Sequence, residues 1–165
     1  MPLSREDQHF LAHCETVKQE SHDPDRQVGV VIVNAAGHIL ATGTNQPPHP
    51  IQLKRRESLA AIADDPSWKY FMLEHAERSA INNARALGHP LEGATMYSSL
   101  FPCADCARAI AAAGIRRLVS HTPDLGLERN SKWAQHFLYS AKILDLSNVA
   151  VELLQPGTSS SLEIS

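Results

Sequence analysis

Residues 94–154 alternate between short apolar runs and longer helical stretches, and no other feature of the chain constrains its fold as strongly. "ATMYSSL" (94–100), "IRRLVS" (115–120) and "NVAVELL" (148–154) read as strands. "CADCARAIAAA" (103–113) and "LERNSKWAQHFLYSAKIL" (127–144) read as the helices between them. A helix between two strands of one sheet implies a right-handed crossover and parallel pairing. Upstream, "VGVVIV" (28–33) is a continuous β-branched run of the kind buried on both faces, and a turn at "NAAGH" joins it to "ILATG" (39–43) as an antiparallel hairpin. The pattern predicts an α/β protein with one mixed five-stranded sheet and helices on both faces.

The remaining segments fit that frame. Ser4 with Asp7 three residues on predicts a capped helix start, and Phe10, Leu11, Cys14 and Val17 follow at helical spacing. "TNQPPHP" (44–50) is too rich in proline for regular structure, and "IQLKRRESLAAIA" (51–63) predicts a helix that ends before Pro66. "HAERSAINNARAL" (75–87) places Ala76, Ala80, Ile81, Ala84 and Leu87 on one face, with Gly88 to end it. No internal repeat or linker interrupts residues 1–155, which are expected to form a single domain, and "QPGTSSSLEIS" (155–165) predicts a mobile tail from 156 onward.

Charge and composition exclude several roles. A net charge of −3 argues against a broad basic face for extended nucleic acid, and only 5% aromatic residues leave few platforms for stacking bases. There is no apolar run near the length of a membrane span, and "MPLSREDQHF" lacks the apolar core of a signal peptide, so a cytoplasmic location is expected. Three cysteines cannot all pair with one another; in a reducing compartment they remain thiols. Cys14 lies on the apolar stripe of the first helix and reads as a core residue.

Cys103 and Cys106 are three apart at a helix start, so both thiols lie on one face. The helix N-terminus favours thiolate, the form that binds metal. Alone, this C-x-x-C pair fits a metal site, a redox pair or two buried cysteines. His75 also begins a helix. In a parallel sheet the helix N-termini gather at the strand C-terminal edge, which would bring His75 to the cysteines. One histidine and two cysteines make three zinc ligands and leave a fourth position open, the pattern of a catalytic zinc. His89 and His121 are the other candidate ligands, and both read as loop or strand-end residues. Glu77 is two positions from His75, which on an ideal helix turns it away. It can share the site only where the helix is just beginning, or by curling back; there it would accept a proton from an activated water.

His75-Ala76-Glu77 followed by Pro102-Cys103-Ala104-Asp105-Cys106 matches the H-x-E…P-C-x-x-C signature of zinc deaminases. "SHDPDRQVGVVIV", Gly43 and Asn45, "KYFMLEHAERSAINNA" and "GATMYSSLFPCADCARAIAAAGI" extend the likeness, so that residues 21–120 resemble the deoxycytidylate (dCMP) deaminases of the cytidine deaminase family. The resemblance implies a three-layer α/β/α fold, one zinc ion held by His75, Cys103 and Cys106, Glu77 as the proton shuttle, Asn45 as a polar contact to substrate, and a homo-oligomer. Expected substrate contacts are Asn45, Ala76, Phe101, Pro102 and Arg26, with Phe71, Met72, Leu73 and Leu100 as further wall residues.

The chain departs from these relatives after the second strand. Gly43-Thr44-Asn45-Gln46-Pro47-Pro48 stands where they usually carry Gly-Tyr-Asn-Gly-x-Pro, and Gln46 and Pro47 should stiffen and fill that loop. Arg26 is the nearest candidate cation for a substrate phosphate, with Arg55 and Arg56 in the intervening helix; the other reading of these arginines is a solvated face. The reading that follows is a zinc-dependent hydrolytic deaminase taking dCMP to dUMP. The alternatives are a deaminase of a phosphate-free nucleoside, base or other amino-heterocycle, and a non-catalytic interaction protein stabilised by zinc.

Overall fold

The structure is a computed structural model, and it describes residues 2–123 and 133–155. A single five-stranded sheet has the order β2-β1-β3-β4-β5. Its strands are β1 (Gly29–Val33), β2 (Ile39–Thr44), β3 (Thr95–Ser98), β4 (Arg117–His121) and β5 (Ala150–Leu154). β1 pairs antiparallel with β2 and β3, whereas β3–β4 and β4–β5 are parallel. The mixed sheet is therefore as the alternation of elements predicts. Because β2 and β3 are both antiparallel to β1, they run in the same direction, and their C-terminal ends share one edge.

Alternation along the strands divides the core between two faces. Val30, Ile32, Met96 and Leu118 point to one side and pack under three helices: α4 (Ala76–Ala86), α5 (Ala104–Ala112) and α6 (Ala134–Leu146). Val31, Val33, Tyr97 and Val119 point to the other and meet Phe10, Leu11 and Cys14 of α1 (Arg5–Val17). Helices thus cover both faces, and Cys14 is a fully buried core residue whose thiol burial pushes up to about 12. Every residue of β1 is buried, which accounts for its unbroken apolar run; β5, at the edge, is largely exposed.

Local chemistry sets several boundaries. Ser4 and Asp7 form the expected capping box at α1. α2 spans Arg55–Asp64 rather than starting at residue 51, because Glu57 accepts the Lys54 backbone N–H and caps the helix there. A five-residue helix, α3 (Trp68–Met72), has too few turns to show a period and was not anticipated. Within the proline-rich loop, Gln46 does form one isolated antiparallel bridge, to Glu74. The expected helix start at 127–132 and the tail at 156–165 lie outside the described residues.

Candidate active site

The N-termini of α4 and α5 meet at the edge where β2 and β3 end. His75 is the N-cap of α4 and Cys103 the N-cap of α5, both with extended backbone (φ −70°, ψ 147° and φ −70°, ψ 171°). The extended conformation removes the geometric difficulty with Glu77. His75 stands outside the helix while Glu77 lies in its first turn, so a spacing of two no longer sets them on opposite faces.

Gly43 lets α4 sit this close to the sheet. A Cβ at that position would lie 2.3 Å from the Ala80 nitrogen and 2.5 Å from the Ala76 carbonyl oxygen. The approach of the metal-bearing helix to β2 therefore requires glycine for space, not for its dihedral freedom. On the loop side, the Glu74 N–H donates to the Gln46 carbonyl at 2.9 Å. The Glu74 carboxylate in turn accepts the His75 N–H at 2.9 Å and Arg78 Nε at 2.7 Å. The altered "TNQPP" loop is thus stitched to the residue immediately before the first candidate ligand.

His75 Nδ1 lies 3.5 Å from Cys103 Sγ and 3.4 Å from Cys106 Sγ, and the three donor atoms all fall within 4.8 Å of one another. A tetrahedral zinc with bonds of roughly 2.3 Å to sulfur and 2.0 Å to nitrogen holds such atoms about 3.5 Å apart, so this donor set fits the metal. Among the described residues it is the one group of three or more such side chains able to hold an ion. His121 faces Glu15 on the far side of the sheet, and His89 is exposed after α4.

The electrostatics of the cluster point the same way. Hydrogen bonding from Cys106, then from His75, pulls the Cys103 thiol down to about 4, against its burial. The Cys103 thiolate and burial hold the Cys106 thiol up. Two adjacent buried thiols cannot both ionise without a cation; a divalent ion would take both as thiolates. His75 is raised chiefly by its hydrogen bond with Cys103. Glu77 is 5% exposed, and burial, with the Cys103 thiolate adding to it, raises its carboxyl above the ordinary range.

His75, Glu77 and Cys103 form part of the wall of a cavity of about 360 Å³. Of the expected substrate contacts, Asn45, Phe101 and Arg26 also line it. Ala76 and Pro102 do not: both are fully buried in the packing beneath the site. Leu73 and Leu100 belong to the wall, whereas Phe71, 83% exposed, and Met72 do not. Asn45 Oδ1 accepts the Val28 N–H at 2.8 Å and the Ser21 hydroxyl at 3.1 Å. Those two donors fix the amide's orientation and leave Nδ2 as the end able to serve a ligand. Arg55 is engaged elsewhere, its Nε donating to the Ser21 carbonyl at 2.8 Å.

Sequence reasoning missed the contribution of the last helix. Trp133, the N-cap of α6, and Phe137, four residues on, line the same cavity. Phe137 meets Phe101 edge to face at 5.9 Å. His136 Nδ1 accepts the Ala104 N–H at 3.3 Å, satisfying one of the unpaired donors at the start of the cysteine-bearing helix. The signal was available as an aromatic cluster at i, i+3 and i+4. At the start of an amphipathic helix, however, that pattern reads as core. Lys69, on the unanticipated α3, completes the rim with Asp23 and Asp25.

Comparison with known proteins agrees with this arrangement. The family model for the cytidine and deoxycytidylate deaminase zinc-binding region matches residues 4–122. A deoxycytidylate deaminase of Pongo abelii is 36% identical over 115 residues, covering 68% of this chain and 62% of that protein. The chain thus spans less than two thirds of the length of such relatives. An uncharacterized deaminase from the luxG 3' region of Aliivibrio fischeri is 30% identical over 152 residues, 92% of this chain and 95% of that protein. Among solved structures, the dCMP deaminase of cyanophage S-TIM5 in complex with dCMP and dUMP superposes with a TM-score of 0.67, covering 93% of this chain and 100% of that one. At 22% identity that likeness establishes the fold.

Proposed function

This chain belongs to the cytidine and deoxycytidylate deaminase zinc-binding family, and from that premise we propose that it is a hydrolytic deaminase converting dCMP to dUMP. The observation that carries the proposal is Glu77. It is a buried carboxyl beside a three-ligand metal site, in the wall of a cavity large enough for a pyrimidine nucleotide. A site kept only for stability needs no proton shuttle and closes its fourth position. That argument disfavours a non-catalytic interaction protein.

Zinc, held by His75, Cys103 and Cys106, supplies the Lewis acidity that makes a water nucleophilic near neutral pH. The chain's own groups do the rest. The Glu77 carboxylate takes a proton from the attacking water and passes it to the ring nitrogen next to the reacting carbon. The water oxygen bonds to the carbon that carries the exocyclic amine. Glu77 then takes the remaining proton of that oxygen and delivers it to the amine, the C–N bond breaks, and ammonia leaves with a carbonyl in its place. Phe101 and Phe137 bound the ring, Asn45 Nδ2 serves as a donor to the sugar or base, and Arg26 is the cation proposed for the substrate's outer end. Residues 1–155 form the catalytic domain in this proposal.

A second reading, a phosphate-free nucleoside or base as substrate, is favoured by the rim. Lys69 Nζ is held at 3.0 Å by both Asp23 and Asp25, so an incoming phosphate would compete with two carboxylates for it. The assay is ammonia release by the zinc-loaded protein from dCMP, deoxycytidine and cytosine side by side. Preference for dCMP supports the first reading. Activity confined to phosphate-free rings replaces it with the second. No ammonia from any of them, with zinc bound, overturns both.

Assembly and location are part of the proposal. Among the described residues no helix is long and apolar enough to cross a membrane. Metal binding needs Cys103 and Cys106 reduced, which suits a reducing cytoplasm. Leu138, Tyr139 and Leu146 leave exposed apolar surface along α6, beside the edge strand β5, consistent with a homo-oligomer.

A further inference from the structure

The Arg26 guanidinium carbon lies 5.2 Å from the centre of the Trp133 ring, and both side chains line the cavity. They come from opposite ends of the chain, one from the loop before β1 and the other from the start of α6. We infer that Trp133 is a positioning residue that holds the Arg26 guanidinium at the mouth of the cavity, to receive an anionic oxygen group on the substrate. The inference rests on the deaminase reading of this cavity and names the feature by which it would select a nucleoside monophosphate.

Among the described residues, Lys69 and Arg26 bring a lysine and an arginine to the cavity wall. The Lys69 ammonium is a compact charge clasped by two carboxylates. Arg26 has its loop fixed through its backbone, and its guanidinium lies over the Trp133 ring. The Arg26 backbone N–H, with that of Asp25, donates to Asp23 Oδ1 at 3.2 Å and 2.9 Å, which fixes the loop. A guanidinium this close to an indole centre is attracted by the ring's π face, and its N–H donors lie in its own plane. Five such donors allow more than one partner at once, and their fork matches the oxygens of a phosphate.

Trp133 is itself anchored to the metal site. Its ring packs on His136 at 5.2 Å, and His136 Nδ1 accepts the Ala104 N–H. Arg26, Trp133, His136 and Ala104 therefore link the mouth of the cavity to the first turn of the helix that carries Cys103 and Cys106. A group gripped by Arg26 is placed at a set distance from the reacting end of the substrate.

The test compares KM and kcat for dCMP and deoxycytidine in the zinc-loaded wild type, Arg26→Ala, Trp133→Ala and Trp133→Phe, with zinc content and melting temperature recorded for each. Arg26→Ala and Trp133→Ala should raise KM for dCMP by about 10- to 100-fold, with deoxycytidine little changed. Trp133→Phe should recover most of the loss, because an aromatic face remains. Equal losses for both substrates would mean a merely structural role and overturn the inference. Should Trp133→Ala fail to fold, Arg26→Gln carries the same comparison.

A binding arm separates this inference from the deaminase reading. The chain has two tryptophans, so Trp68→Phe leaves Trp133 as the sole indole reporter. dCMP should quench its fluorescence, deoxycytidine much less, and Arg26→Ala should abolish the difference. Arg26-dependent dCMP binding without ammonia release would sink the deaminase reading and leave this inference standing. No dCMP binding, or binding equally tight in Arg26→Ala, would overturn it whatever the turnover.

Discussion

His75 Nδ1 stands 3.4 Å from Cys106 Sγ although the two residues are 31 apart in the chain. Cys103 and Glu77 are charged groups that act on both side chains. Both belong to helix starts delivered to one sheet edge by strands running the same way, and the spacing is that of two ligands of one zinc ion. Cys103→Ala should therefore lose zinc and stability together, because binding energy at such a site is folding energy. Metal analysis should fall from about one zinc per chain towards zero, and the melting temperature should drop. Unchanged zinc content would show that the ligand set is wrong.

Glu77→Gln tests the shuttle. The amide keeps the size of the side chain but cannot take a proton. Zinc should stay near one per chain while kcat falls by about 10³-fold or more. Single-turnover ammonia release would measure it, and near-normal turnover would end the proposed mechanism.

Gly43→Ala tests whether close packing of α4 on β2 positions the site. The added methyl meets backbone atoms of Ala76 and Ala80, which cannot rotate aside. The helix must shift, at a cost of about 3 kcal/mol, and carries His75 with it. Denaturant unfolding should show the loss, and zinc affinity should weaken in parallel. A stability change with zinc affinity intact would mean that the shift is absorbed away from His75.

Acid stability follows from the other face of the sheet. Arg117 meets Asp7 with two hydrogen bonds of 2.8 Å, and the Tyr97 hydroxyl donates to the same carboxylate at 2.8 Å. Arg117 first, then Tyr97 and Ser4, hold the Asp7 carboxyl well below the usual carboxylate range despite its burial. A depressed folded pKa stabilises the native state above the unfolded value of about 4 and loses that contribution as pH falls below it. Asp7→Asn should cost about 3 kcal/mol near neutral pH and flatten the decline in stability below pH 4. Urea midpoints measured from pH 7 down to pH 3 would show whether the wild type and the variant converge.

Much of the site was legible because its signals are local. A histidine and a glutamate at one helix start, and two cysteines a turn apart at another, need only a few residues each to be recognised. The alternation of strands and helices, enough to predict the sheet, is likewise a short-range pattern. Asp7 shows where such reading stops. In sequence it is an ordinary capping residue; in the fold the same carboxylate also meets Arg117, 110 residues away. Ala76 and Pro102 stand next to the ligands in sequence, yet they are buried in packing rather than exposed in the cavity.

The sequence by itself determined the chemistry of the metal site and the class of fold, because donor types, helix starts and hydrophobic periods are properties of neighbouring residues. Only the tertiary structure decided how the cavity wall is completed, with Trp133, Phe137 and Lys69 joining it. Arg26 meets Trp133, and Lys69 meets Asp23 and Asp25, through side-chain contacts across loops that have no period. Such contacts depend on where the packed sheet and helices bring distant segments, and no local pattern encodes that position.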